Sequence, residues 1–188
     1  MERIKKLVGE KVYLSPASMQ DAEIFTKWMN DFNVTDYTMR SDKVLTLESE
    51  VEWLRGETLK GGYLMSIVTL DNNNVIGNIS LNDVNFIHRF AELGIMIGEN
   101  ENRSKGYGAE AINLLLDYAF NYLNLNTVSL GLLECNERAK RCYEKVGFKE
   151  YGRKRKCRFI NGKYYDIIYM DILASEFKGE YIKNKNVR

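Results

Sequence analysis

The segment Arg103-Ser-Lys-Gly-Tyr-Gly108 constrains this chain more than any other part of its sequence. It follows an apolar run over residues 91–97 and precedes a long apolar stretch with helical spacing over residues 109–123. The two glycines, Gly106 and Gly108, let the backbone turn tightly and approach a ligand closely. The helix that opens there presents unpaired N–H groups and the positive end of its dipole, where a phosphate binds well. The segment therefore predicts a strand, an anion-binding turn and a helix in this order.

Composition and charge indicate a single globular domain. The chain has 188 residues, with 27 basic and 26 acidic side chains. The length fits one domain over residues 1–175 with a polar tail over residues 176–188. The balanced charge argues against a nucleic acid or membrane partner, and no segment is long enough to span a bilayer.

The cysteines and the start of the chain favour a cytoplasmic location. Cys135, Cys142 and Cys157 form no CxxC pair and no metal-binding spacing, so we expect reduced thiols and no metal. Residues 1–6 lack the apolar run of a signal peptide.

Hydrophobic periodicity predicts the element order β-α-α-β-β-β-α-β-α-β-β. Such an order is typical of an α+β or mixed α/β fold, a mixed sheet with helices on its faces. Residues 35–44 are expected to form a loop, and the chain is expected to fray from Lys178 onward. The predicted strands are residues 11–14, 63–70, 75–84, 91–97, 127–133, 148–159 and 163–172. The predicted helices start near Ser18 and cover residues 48–59, 109–123 and 136–146.

A second motif follows the predicted strand over residues 127–133. It reads Asn136-Glu-Arg-Ala-Lys-Arg-Cys-Tyr-Glu-Lys-Val-Gly-Phe148. Its apolar positions share one helical face, Asn136 stands where a helix N-cap is expected, and Gly147 stands where a helix would end. Taken alone, Tyr143 could equally be an aromatic core residue with its hydroxyl at the rim.

Together the two motifs resemble the acetyl-CoA signature of the GNAT superfamily of N-acetyltransferases. The matching positions are Arg103, Gly106 and Gly108, followed by Asn136, Ala139, Tyr143, Gly147 and Phe148. The resemblance extends from Lys11 to Ile172. The most similar branch holds the ribosomal-protein-alanine and spermidine acetyltransferases, and the residues that resemble the spermidine enzymes are His88-Arg89, Ala91-Glu92 and Phe159–Gly162.

The resemblance implies an acyltransferase with acetyl-CoA as donor and a primary amine as acceptor. It implies a mostly antiparallel sheet in which a splayed strand pair holds the donor. Main-chain N–H groups of the loop would bind the pyrophosphate, the loop residues being Arg103, Ser104, Lys105, Gly106, Tyr107 and Gly108. The main chain of Ile95, Met96 and Ile97 would pair with the pantetheine arm, one N–H would polarise the thioester carbonyl, and Asn136 and Ala139 would line the same arm. The side chains of Arg103 and Lys105 would either contact phosphates or be solvated.

Two residues are candidates for the proton transfers. Direct attack needs a neutral amine, and Glu92 is the candidate base, acting directly or through a water. Its place in an apolar strand would raise its pKa if it were buried, although it could instead be a strand-edge charge or form a salt bridge with Arg89. Tyr143 would donate a proton to the departing thiolate.

The basic run Arg153-Lys-Arg-Lys-Cys-Arg158 weakens the spermidine interpretation, because a polycation would be repelled unless carboxylates line the pocket. The carboxylates that could do so are Asp31, Glu48, Glu50 and Glu52. Since side chains alternate along a strand, the run would carry charge on both faces and should lie at or near a sheet edge.

The acceptor and the assembly stay open at the level of sequence. The acceptor would be a small amine, an aminoglycoside-like molecule or a protein N-terminus. Two alternatives are a catalytically silent acyl-CoA sensor and an RNA- or ribosome-associated module that uses the basic run. The resemblance also implies a homodimer that pairs through the late strands.

Overall fold

The computed structural model describes residues 3–59 and 62–183. Within these residues, eight strands form one sheet with helices on both faces. The strands are β1 (Leu7–Val8), β2 (Val12–Pro16), β3 (Tyr63–Thr69), β4 (Val75–Asn85), β5 (Phe90–Ile97), β6 (Thr127–Leu133), β7 (Lys149–Ile160) and β8 (Lys163–Leu173). The helices are α1 (Ala22–Met29), α2 (Phe32–Thr35), α3 (Leu47–Leu59), α4 (Tyr107–Asn121) and α5 (Glu137–Val146). Single 3₁₀ turns cover Met19–Asp21 and Asn100–Asn102.

The sheet has the strand order β1-β2-β3-β4-β5-β6-β8-β7. Neighbouring strands are antiparallel except β5 and β6, which run parallel and are joined by α4. A parallel pair needs such a crossover, because a tight hairpin can join only antiparallel strands. The predicted mixed, mostly antiparallel sheet is therefore confirmed. The basic strand β7 lies at the sheet edge, as its charge pattern predicts.

The two faces of the sheet pack against separate apolar clusters because strand side chains alternate. Along β3, Met65 and Ile67 belong to the larger cluster, which contains the buried face of α4. Leu64, on the opposite face, packs with Phe25 and Leu54 beneath α1 and α3. Hence α3 lies on the opposite face of the sheet from α4.

Periodicity misses the two shortest elements, β1 and α2. β1 has only two residues, too few to show alternation. α2 overlaps the start of the predicted loop over residues 35–44, and it begins where the Asp31 side chain accepts a hydrogen bond from the Asn33 N–H at 2.9 Å. A one-turn helix held by its cap shows little periodicity in the sequence.

The end of the chain docks on α4 through a buried carboxylate. Asp117 is fully buried and accepts hydrogen bonds from the N–H groups of Tyr181 at 2.6 Å and Ile182 at 3.0 Å. The N–H of Lys183 donates to the Val8 carbonyl at 2.7 Å. The expected fraying from Lys178 onward is therefore wrong for the residues up to 183, and residues 184–188 lie outside the described residues.

We predict that Asp117→Ala releases this segment and lowers the free energy of unfolding by about 3 kcal/mol, since two buried N–H groups lose their acceptor. Urea denaturation measures the change. Asn121→Ala is the matched control, because it removes only the 3.0 Å bond from Asn121 Nδ2 to Asp117 and leaves the tail its acceptor. Equal stability of the two variants would contradict the anchoring role.

Candidate active site

The parallel strands β5 and β6 separate after a short stretch of pairing. Their register joins Phe90 to Thr127, Ala91 to Val128 and Glu92 to Ser129, and pairing stops there. Beyond this point, in the described part of the chain, β5 remains paired with β4 only, and β6 remains paired with β8 only. The facing edges of the two strands thus enclose a gap, which confirms the splayed pair that the sequence resemblance implies.

The hydrogen bonding of β5 decides which of its main-chain groups face the gap. The Gly98 N–H donates to the Ile76 carbonyl at 2.9 Å, and bonding residues alternate along an antiparallel pair. Met96 therefore pairs with β4, whereas Ile95 and Ile97 direct their main-chain groups toward the gap. The sequence resemblance implies that Ile95, Met96 and Ile97 pair with pantetheine through their main chain. The main-chain groups of Met96 instead point toward β4, away from the gap.

The loop that follows β5 presents a row of free N–H groups. Ser104 and Gly106 adopt positive φ values of 61° and 87°, which turn successive N–H groups to one side before α4 begins. Among residues 3–59 and 62–183, no acceptor bonds the N–H groups of residues 104–109. Such a concave row of N–H groups at a helix N-terminus binds anions.

The Arg103 side chain holds this loop in place. Its guanidinium donates to the carbonyls of Gly98 at 2.8 Å, Asn33 at 3.1 Å and Ile97 at 3.2 Å, and to the Asn100 side chain. Burial, more than the nearby charge of Arg138, lowers its pKa. From the sequence, this side chain is expected either to contact phosphates or to be solvated. It instead bonds to carbonyl groups of the protein.

The side chains of Lys105 and Tyr107 point away from the gap. Lys105 is exposed and lines a separate cavity beside Glu99 and Glu101. The Tyr107 ring packs against the core under α4. These two residues therefore contribute only their main-chain N–H groups to the anion-binding loop.

A cavity of about 360 Å³ extends from this loop along the gap. It touches Gly106, Gly108, Ala139 and the gap side of β5. Its wall also includes three cations of α5 that are not among the matching positions of the two sequence motifs, Arg138, Arg141 and Lys145. Their spacing of three and four residues on a helix already places them on one face. Three positive charges beside the N–H row make the cavity attractive to an anion.

Asn136 caps α5 and ties it to the loop that follows α2. Its Oδ1 accepts from the Ala139 N–H at 3.2 Å, and its Nδ2 donates to the Tyr37 carbonyl at 3.1 Å. The Arg138 guanidinium lies 5.9 Å from the centre of the Tyr37 ring. The predicted N-cap is confirmed, and it also fixes the loop over the gap.

Tyr143 lies where the gap meets a second cavity. Its side chain is 9% exposed, and the ring packs 6.0 Å from that of Phe148. Burial raises the pKa of its phenol well above the ordinary value. Its hydroxyl makes no hydrogen bond within the described part of the chain, so it is a protonated donor without a protein acceptor.

The second cavity, of about 460 Å³, lies between the sheet, α3 and the loop over residues 36–45. It shares Ile95, Met96, Asn136 and Tyr143 with the first cavity, so the two meet at the gap. We call the first the donor cavity and the second the acceptor cavity.

Glu92 lines the acceptor cavity at the point where the strands separate. It is exposed, so the buried position considered from sequence is wrong. The alternative pairing with Arg89 is wrong as well, since Arg89 Nε donates to the Asn124 carbonyl at 2.7 Å.

The other chemical groups of the chain are less suited to catalysis. Burial raises the pKa of the Cys135 and Cys142 thiols, the opposite of what a nucleophilic cysteine needs. Within residues 3–59 and 62–183, no three His, Cys, Asp or Glu side chains are grouped to hold a metal ion. No helix in the described ranges is both long enough and apolar enough to cross a membrane.

Comparison with known proteins identifies relatives of this arrangement. A family profile described as the acetyltransferase (GNAT) domain matches residues 11–149. A spermidine N(1)-acetyltransferase from Vibrio cholerae is 41% identical over 104 residues, which are 55% of this chain and 60% of that protein. A Bacillus subtilis protein whose name places it among ribosomal N-acetyltransferases is 34% identical over 111 residues, 59% of this chain and 60% of its own length. The alignments thus span less than two thirds of either curated relative.

A solved structure agrees over a longer range. The crystal structure of spermidine N-acetyltransferase from Vibrio cholerae, in complex with CoA and spermine, aligns with a TM-score of 0.80 and 29% identity. The alignment covers 88% of this chain and 96% of that one.

We predict that Gly106→Val weakens binding of CoA by at least about tenfold, because a β-branched residue does not tolerate the φ of 87° and the N–H row loses its shape. Calorimetric titration with CoA measures the change. Gly152→Val is the control, since that glycine lies in β7 with open space around it and an ordinary φ. Unchanged CoA affinity in the Gly106 variant would exclude this loop as the binding site.

Proposed function

This chain belongs to the GNAT family of acetyltransferases, and we propose that it transfers an acetyl group from acetyl-CoA to a primary amine within a ternary complex. The observation that supports this most strongly is the gap that opens after Glu92 and Ser129. It joins a cavity with free N–H groups and three cations to a second cavity, with a protonated tyrosine at their junction. The donor and the acceptor would therefore meet without a covalent enzyme intermediate.

The donor site would use main-chain groups in both of its parts. The diphosphate of acetyl-CoA would accept hydrogen bonds from the N–H groups of residues 104–109, with Arg138, Arg141 and Lys145 adding attraction. The pantetheine arm would lie in the gap and bond to Ile95 and Ile97 as an added strand does. One N–H of β5 would polarise the thioester carbonyl, a contact that contributes about 3 kcal/mol in acyl-transfer sites.

Two side chains would move protons. Glu92 would take a proton from the attacking amine, through a water because its carboxylate is exposed to the cavity. Tyr143 would give its proton to the thiolate of CoA, since its raised pKa keeps the phenol protonated. Asn136 and Ala139 would line the arm from the start of α5.

The relatives support a small cationic amine as acceptor. Spermidine acetyltransferases are among them, and the acceptor cavity contains Glu50, Glu57 and Glu92. The RNA-associated alternative has less support, because the run over residues 153–158 lies on the edge strand and Arg153 pairs with Glu150 at 2.7 Å. The silent-sensor alternative has less support because Tyr143 stands at the junction of the cavities.

The test of this function combines two measurements on the full chain. Titration calorimetry with acetyl-CoA tests the donor site, and thiol release over a panel of primary amines tests transfer. Absence of acetyl-CoA binding would overturn the proposal. Binding without thiol release from any amine would favour the sensor instead.

We further propose a cytoplasmic homodimer with one catalytic domain. Because Ile182 packs in the core, this domain extends past the boundary at residue 175 that is expected from the sequence. The free state of all three cysteines supports a reducing compartment. The exposed aromatic side chains of Tyr151, Phe159 and Tyr164 on the β7–β8 hairpin support pairing through the late strands. Sedimentation equilibrium distinguishes the dimer from a monomer.

We predict that Tyr143→Phe lowers kcat by about a hundredfold while the affinity for CoA stays the same, because the thiolate loses its proton donor. The raised pKa also means that wild-type turnover does not fall as pH approaches the ordinary tyrosine value of 10.0. Thiol release across this pH range measures the kcat of the variant and the pH dependence of wild-type turnover. Tyr122→Phe is the control, since Tyr122 is exposed on α4's end. A large loss of CoA affinity with unchanged kcat would contradict the assigned role.

We predict that Glu92→Gln lowers kcat by about tenfold or more with little change in CoA affinity, because the amide cannot accept the amine's proton. Steady-state kinetics at saturating acetyl-CoA measures the loss. Glu101→Gln is the control, because Glu101 is exposed and lies outside both cavities. Glu134 is unsuitable, since its carboxylate accepts a hydrogen bond from the Asp166 N–H. Full activity of the Glu92 variant would remove it as the base.

A further inference from the structure

Glu50 is a buried carboxyl group on α3 that the proposed chemistry does not use. It is 4% exposed, whereas Glu48 and Glu52 on the same helix are exposed. Within residues 3–59 and 62–183 its carboxyl oxygens make no hydrogen bond or ion pair. A buried carboxyl group without a partner costs free energy, so the fold alone does not account for it.

The Glu50 carboxyl reaches the acceptor cavity. Glu50 lines that cavity. Among the described residues its carboxyl oxygens have no hydrogen-bond partner, yet they are not among the atoms that are shielded from solvent, so each of them is accessible to solvent. Both oxygens therefore contact the space inside the cavity. Burial raises the pKa of Glu50, and the charge of Arg40 lowers it by a smaller amount.

The surroundings of Glu50 suit a cation. Trp53 and Glu57 follow it on α3 and line the same cavity, and an aromatic face attracts an ammonium group. Opposite them, Asn78 and Ser80 project from β4 into the cavity. These two alternate with buried apolar residues, so one face of β4 is polar where it meets the cavity.

Two cations line the same cavity but are exposed to solvent. Arg40 is exposed, and Lys43 is exposed and pairs with Asp42 at 3.5 Å. Water and salt screen exposed charges more than buried ones. A negative charge on the buried Glu50 carboxyl would therefore be screened less than the positive charges of Arg40 and Lys43.

The position of Glu50 separates it from the gap where the acetyl group would transfer. α3 packs on β3 and α1, whereas the gap lies beyond β5, two strands farther across the sheet. At the usual strand spacing this is about 10 Å. Glu50 therefore approaches the acceptor cavity from a helix on the β3 side of the sheet, whereas Glu92 and Tyr143 line it at the gap.

We propose that Glu50 binds a second ammonium group of the acceptor and thereby selects diamines and longer polycations over monoamines. This proposal rests on the proposed acetyl transfer for the identity of the cavity. The reacting amine lies at the gap, and the second ammonium group lies between Glu50 and Trp53. Glu50 is in this sense a specificity-determining residue.

The experiment compares hexamethylenediamine with hexylamine, which share an apolar chain and differ in one ammonium group. Calorimetric titration into the CoA-bound protein measures the affinity for each without requiring turnover. We expect the wild type to prefer the diamine, and Glu50→Gln to weaken diamine binding by about tenfold or more while hexylamine binding is unchanged. Glu52→Gln, exposed on the same helix, is the matched control and should behave as the wild type.

Several binding results would overturn the proposal. They are equal diamine affinity in the wild type and Glu50→Gln, an equal loss for both amines, and a wild type that binds neither amine. The unfolding temperature of Glu50→Gln should not fall, since the substitution removes a buried unpaired carboxyl group. A clear fall would assign Glu50 to the packing of α3 and would also overturn the proposal.

Thiol release from acetyl-CoA separates this proposal from the proposed function. Glu50-dependent diamine binding without thiol release from any amine would leave the cation site standing and reject acetyl transfer. Thiol release from both amines at equal efficiency in the wild type and Glu50→Gln would support acetyl transfer and reject the role of Glu50.

Discussion

The separation of β5 from β6 is the constraint on which the rest of the site depends. Two parallel strands joined by a helix would ordinarily pair along their length, and unpaired main-chain groups inside a protein are costly. Here the pairing ends at Glu92 and Ser129, while each strand continues to pair with its other neighbour. Arg103 satisfies the carbonyls of Ile97 and Gly98 at the far end of β5. The groups left between these points are available to a ligand that presents its own amides.

The same gap explains why one buried tyrosine can serve two cavities. Tyr143 comes from α5, which begins shortly after β6, and its side chain lines both cavities. Asn136 fixes that start twice, by capping α5 and by binding the Tyr37 carbonyl. The loop over the acceptor cavity is therefore attached to the helix beside the donor cavity.

Local patterns in the sequence predict the parts of the site that depend on neighbouring residues. The loop over residues 103–108 and the caps of α5 are of this kind, because glycine conformation and N-cap chemistry act within a few residues. Contacts that join distant segments are not visible in such patterns. Asp117 accepts a hydrogen bond from the Tyr181 N–H, which lies more than sixty residues later in the sequence. Arg103 donates to the Asn33 carbonyl, seventy residues earlier. The burial of Glu50 likewise follows only once α3 is placed over the sheet.

The charge of the acceptor illustrates why placement matters more than composition. The basic run over residues 153–158 argues against a polycationic substrate when only the sequence is considered. In the fold that run lies on the edge strand and lines neither cavity, while Glu50 faces the acceptor cavity from a buried position. The strength of a charge depends on how far water screens it. The basic run therefore does not set the charge of the acceptor cavity, which the buried Glu50 shares with the exposed side chains of Arg40 and Lys43.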